Sequence, residues 1–136
     1  MHYVSKKGVP RNMMGRLRGT ADRANDTAGT AFGLLPFLGA GITHKSKKSK
    51  FAKTVGRGLE YLVSKQDART GAFPGGMYAH GLASIAMCEA YALTFDPLVG
   101  RSAQKALNYI AYAQDPSGGG WRYSPRQAGD TSVVVW

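Results

Sequence analysis

One segment of this chain occurs twice, and that duplication limits the folds open to it more than any other feature. Gln66, four residues, Gly71, one residue and Phe73 are followed later by Gln114, four residues, Gly119, one residue and Trp121. The register extends backwards, with "RGLEYLVSKQ" lying over "KALNYIAYAQ" and pairing Arg57 with Lys105, Leu59 with Leu107, Tyr61 with Tyr109 and Leu62 with Ile110. The spacing is 48 residues, within the range of stacked helical units that bury a face only against a neighbour. A fainter echo lies at the edges, where "NDTAGTAF" from Asn25 and "GDTSVVVW" from Gly129 share Asp-Thr.

Two kinds of helix are expected to alternate. Thr27 to about Ile42 and Gly81 to about Thr94 are apolar nearly all round and call for cover on every side. Phe51, Val55, Leu59, Leu62 and Val63 form one stripe of an amphipathic helix, as do Val99, Ala103, Ala106, Leu107 and Ile110. Helix starts are marked by Asp26, Asp130, Ser49, and Asp96 followed by Pro97, whose missing amide costs nothing at the first helical position. Such alternation builds two layers, an inner one of buried helices and an outer one facing water. The glycine of each motif lets the chain reverse tightly, the aromatic two places on packs over the preceding helix end, and the Gln amide bonds to open carbonyls there. Each motif is therefore a staple between units.

Charge narrows the partners. The net +10 is uneven: residues 1–23 hold six Lys or Arg against Asp22, residues 45–57 hold six with no acid, and residues 58–136 hold six of each sign. The segment "THKSKKSKFAKTVGR" reads as a solvated loop entering a lysine-faced outer helix, with phosphate or an anionic membrane surface as the alternative. Nucleic acid is disfavoured, because no aromatics are interleaved with the cations. Residues 1–25 read as a basic, poorly ordered flank and residues 26–136 as the repeat region, cut within a helix at "SVVVW". The uncharged run from Thr27 to Thr43 spans 17 residues with four glycines and Pro36, short for a membrane span. No signal peptide is apparent, and a cytoplasmic location follows by default.

Chemistry-bearing residues are sparse. Cys88 alone excludes a disulfide within the chain and a cysteine-cluster metal site. His80 stands eight residues from Cys88 in one segment and matches no ligand spacing, so no metal and no cofactor is expected. Glu89 is an acid within a buried helix, where apolar surroundings would raise its pKa; pairing with a neighbouring helix end or a base is the other reading.

The two glutamine-to-aromatic motifs, "GGGWRYSP", "GDTS", "DTAGTAFGLLPFLGAG" and "HGLASIAMCEAYALT" resemble the prenyltransferase and squalene oxidase repeat proteins, above all the squalene-cyclase-like members. The resemblance covers roughly residues 20 to 136. It implies an all-α fold, an α/α toroid here as an incomplete ring, around a cavity holding an isoprenoid or lipid-modified peptide. Tyr78, His80 and Tyr91 are candidate lining residues, and Tyr78 and Trp121 could line a cavity or shield a cation; aromatic packing between units explains Tyr78 and Trp121 equally well, and capping or packing is the other role open to His80. The acid motif DxDDTA of those cyclases corresponds to "RANDTA", in which Arg23 and Asn25 replace the first and the proton-donating aspartates and Asp26 remains. An amide cannot initiate a carbocation cascade, so Asp26 and Glu89 are the weak catalytic candidates. The functional expectation is a domain binding an isoprenoid or other apolar ligand without catalysis of its own. The competing one is a noncatalytic scaffold for a protein or glycan partner, or for self-association through apolar edges.

Overall fold

The structure is a computed structural model that describes residues 25–135; apart from Asn25, the basic flank expected over residues 1–25 lies outside the described residues. It is all-α: α1 Asp26–Gly39, α2 Ala52–Lys65, α3 Gly76–Thr94, α4 Pro97–Ala113 and the short α5 Thr131–Val134, with no strand among the described residues.

The helix boundaries follow from capping chemistry. Asn25, not Asp26, caps α1: its Oδ1 accepts from the Ala28 amide at 3.1 Å, and Asp26 is already the first helical residue. The amide suits this site because its Nδ2 also donates to the Gly75 carbonyl at 3.3 Å, tying the start of α1 to the start of α3. Helix α1 stops at Gly39, three residues short of the expected Ile42. Gly41 takes φ +72°, so its amide reaches Leu38 O at 2.8 Å and the Ile42 amide reaches Phe37 O at 2.8 Å, the paired bonds of a Schellman stop. Three successive turns, Ser46 to Thr43, Ser49 to Ser46 and Ala52 to Ser49, carry the chain into α2. Phe51 sits at the cap position, and Ser49 contributes by accepting the Phe51 amide at 3.2 Å. Asp96 caps α4 with Pro97 behind it, and Asp130 caps α5, both as the sequence predicts. Helix α3 begins at Gly76, five residues before Gly81, and the chain enters it through two successive left-handed glycines, Gly75 (φ +102°) and Gly76 (φ +80°).

Helices α1 and α3 pack together as one layer, and α2 and α4 cover them as the other. The main core joins Leu34 and Leu38 of α1, Leu59 and Leu62 of α2, and Leu82 and Met87 of α3. Each such side chain contributes roughly 1.5–3 kcal/mol of burial. The amphipathic helices bury narrower stripes than expected: Val55, Leu59 and Leu62 are covered, whereas Phe51 and Val63 are exposed; Val99, Ala103 and Ala106 are covered, whereas Leu107 is exposed. The inner helices are not covered all round either, since α1 buries only Thr27, Ala31, Leu34 and Leu38.

The two staples form with matching bonds. Gln66 and Gln114 both end their helices in extended conformation, and each Nε2 donates to the carbonyl five residues on, Gly71 at 2.9 Å and Gly119 at 2.6 Å. Asp67 and Asp115 each accept from amides of their own turn, and the backbone pairs Asp67–Ala72 and Asp115–Gly120 repeat the same closure. The copies differ in what lies against them. Gln66 also donates to Ser102 O at 3.0 Å and accepts from Ser102 Oγ at 2.7 Å, so the first loop grips α4. Gly71 (φ +80°) is pressed so closely that a Cβ there would stand 2.4 Å from Lys105 O; at Gly119 (φ +76°) the nearest atom is 3.9 Å away.

This contrast gives a prediction. Gly71→Ala, strained and blocked by backbone, loses about 3 kcal/mol or more of unfolding free energy, whereas Gly119→Ala loses about 1 kcal/mol from the positive φ alone. Urea denaturation of both variants measures the difference, and equal losses would contradict the close packing of the first loop on α4.

Candidate functional site

At the boundary between the two hairpins, the first motif meets a histidine. His80 is 1% exposed. Its Nδ1 accepts the Phe73 amide at 3.0 Å and its Nε2 lies 3.1 Å from the Ala106 carbonyl, to which it must donate. Those two bonds fix the neutral tautomer protonated at Nε2. Ser84 Oγ donates to the His80 carbonyl at 2.7 Å, and the ring stacks at a tilt on Phe73 and edge-on against Tyr109. His80 thus serves as a packing residue, one of the roles open to it from sequence. It bridges the first motif, α3 and α4, and both ring nitrogens are spent. Burial holds its pKa below the ordinary imidazole value, opposed by the bond to Ala106.

The second motif closes differently. Trp121 Nε1 donates to Ile110 O at 2.8 Å, satisfying a carbonyl at the end of its own preceding helix, as the staple requires. In the first copy the equivalent carbonyl, Leu62 O, accepts from the Gln66 amide at 3.1 Å. Trp121 also borders a 160 Å³ apolar recess with Met77, Gly81, Ile110, Val133 and Val134. Tyr78 points its hydroxyl to Ser132 Oγ at 2.7 Å and anchors α5. Tyr91 is exposed, with its ring over Gly100 and edge-on to Phe95.

The two carboxylates are not brought together. Asp26 is exposed at the start of α1, and Glu89 is half-buried on α3. The clasp between Asn25 and Gly75 aligns the starts of α1 and α3, so Glu89 lies about 20 Å along the helix axis from that level. Neither carboxylate makes a hydrogen bond or ion pair with a described side chain. Among the described residues no three His, Cys, Asp or Glu converge to hold a metal. Burial raises the pKa of the Cys88 thiol, keeping it protonated.

A recess lies on the outer side, between α2 and the start of α4. It has a volume of 590 Å³, an apolar floor of Leu59, Val63, Leu98 and Val99, and Lys53 and Arg57 at its rim. At one end His44 Nε2 donates to Asp96 Oδ2 at 3.1 Å and Lys45 Nζ reaches the same oxygen at 3.4 Å. His44, the Leu98 amide and Lys45 hold the Asp96 carboxyl down at about 2. Sequence reasoning had marked Asp96 as a cap only; no periodicity signals its partner 52 residues upstream.

No family model matches the chain, and neither the curated proteins nor the solved structures contain a match to it.

His80 predicts a pH dependence. The folded chain holds it neutral while the unfolded chain protonates near pH 6.5, so its contribution is full above that pH and declines as pH falls, by at most about 1.4 kcal/mol per unit. Urea midpoints measured between pH 7 and pH 5 are expected to drop in the parent chain and to flatten in His80→Gln. An unchanged slope in the variant would remove His80 as the cause.

Proposed function

We propose that the chain belongs among the squalene-cyclase-like and prenyltransferase-like repeat proteins its motifs resemble. In this reading its hairpins are segments of an α/α toroid, and the inner face of α1 and α3 holds an isoprenoid or another apolar chain without transforming it.

The observation that carries the reading is what the inner helices leave uncovered. After both hairpins have packed, Ile85 of α3 remains 39% exposed. Apolar side chains in water forgo about 25 cal/mol for each Å² that a ligand would cover. Glu89 is the carboxylate near this face, one turn beyond Ile85.

Several features argue against catalysis. The place of a proton-donating aspartate is taken by Asn25, whose amide is committed to Ala28 and Gly75. Asp26 and Glu89 are too far apart to act on one bond. His80 is locked between two backbone groups. A scaffold reading shares this absence of catalytic geometry, and the same uncovered face would then receive a protein partner.

The test is binding of a fluorescent polyene probe to the purified chain, together with native mass spectrometry for retained lipid. Ile85→Asp, which forfeits the covered part of the side chain and costs roughly 1–2 kcal/mol of stability, should weaken probe binding at least tenfold in a chain whose helical circular dichroism is unchanged. Equal binding by the variant and the parent would refute the inner-face site.

A further inference from the structure

One end of the molecule carries two features that the fold does not require. The chain leaves α3 through Phe95, whose φ is +49°. Glycine or asparagine is the residue this left-handed stop favours, and a bulky aromatic there is strained. Phe95 is nonetheless 75% exposed, and Leu98, three residues on, is 63% exposed. Strain and exposure together mean that Phe95 costs the folded state without serving its core.

The second feature lies alongside. Residues 45–57 hold six cations and no acid. Lys45 is engaged: its Nζ reaches Asp96 Oδ2 at 3.4 Å and Thr94 O at 3.2 Å, which with the bond from His44 to Asp96 fastens the α1–α2 loop beside the α3–α4 turn. Lys47, Lys48, Lys50, Lys53 and Arg57 have no ion pair with a described carboxylate and are exposed. The successive turns from Thr43 to Ala52 fix the backbone that carries Lys47, Lys48 and Lys50, and α2 carries Lys53 and Arg57. Phe51, in their midst, is partly exposed with Lys50 over its ring.

We infer that this end of the molecule, the Lys47–Arg57 ridge with Phe95 and Leu98 beside it, docks on an anionic lipid bilayer, the cations meeting headgroups and Phe95 entering the interface. Stable attachment at a bilayer surface takes two signals, an apolar insertion and a basic patch, and both are present here at the junction of two tied loops. Nucleic acid would engage the cations but would leave Leu98 without a partner. The inference does not depend on the inner face holding a ligand.

The experiment is co-sedimentation of the full chain with phosphatidylcholine vesicles, with and without phosphatidylserine. Binding is expected only with phosphatidylserine, and it should fall as salt rises. Lys47→Glu, Lys48→Glu and Lys50→Glu together should weaken it by about fivefold or more per cation removed. Phe95→Asn should weaken it about tenfold while leaving the thermal midpoint equal or higher, since asparagine suits the left-handed stop. Ile85→Asp should leave vesicle binding unchanged, which separates this proposal from the inner-face reading. Vesicle binding indifferent to both the charge-reversed and the Phe95→Asn variants would overturn the inference. So would binding of an RNA or DNA oligonucleotide that exceeds vesicle binding and ignores Phe95→Asn.

Discussion

The two hairpins are held in register by a glycine loop pressed against a helix backbone. Gly71 approaches the Lys105 carbonyl more closely than any side chain would permit, and Gln66 uses both ends of its amide on Ser102 from within the same loop. With that loop seated, Phe73 presents its amide to His80, and His80 in turn reaches the next turn of α4 at Ala106. Backbone, amide and imidazole thus form one continuous polar path through an otherwise apolar boundary. The aliphatic core supplies adhesion, but this path sets where α4 must lie.

Much of this organisation was legible in the residues themselves. The spacing from Gln to Gly to aromatic locates both staples, because a left-handed glycine and a carboxamide leave few alternatives. Asp96 with Pro97 marks the start of α4 for the same reason. Other features were not legible, for identifiable physical causes. Asn25 and Asp26 are equally good caps on paper, and only the position of Gly75 across the layer decides for the amide. Asp67 and Asp115 follow the glutamines in both copies and organise both turns, a signal present in the sequence but overlooked beside the glycines. His80 sits near the start of an apolar segment, where capping or packing is open to it, but its bonds come from residues 7 before and 26 after it, which no periodicity reports.

Polar chemistry in this chain is largely committed to architecture. The groups that a catalytic reading would seize on are an asparagine fastened to two backbone atoms, a histidine with both nitrogens in use, and a protonated half-buried thiol. Exposed features are of two other kinds, apolar surface at Ile85 of α3 and positive charge over residues 47–57, and they lie on different parts of the molecule.

The second staple has one further consequence. Gln114, Asp115 and Gly119 adopt the same closed turn as their counterparts although no helix backbone leans on Gly119. The turn therefore does not need a helix at its glycine; in the second copy the segment leading into α5 lies against it instead, with Gly129 pressed on Gly120 and the Asp130 amide donating to Trp121 O at 2.7 Å. One closed turn thus serves two kinds of neighbour, a helix backbone in the first copy and an extended segment in the second, because the Gln and Asp side chains close it from within.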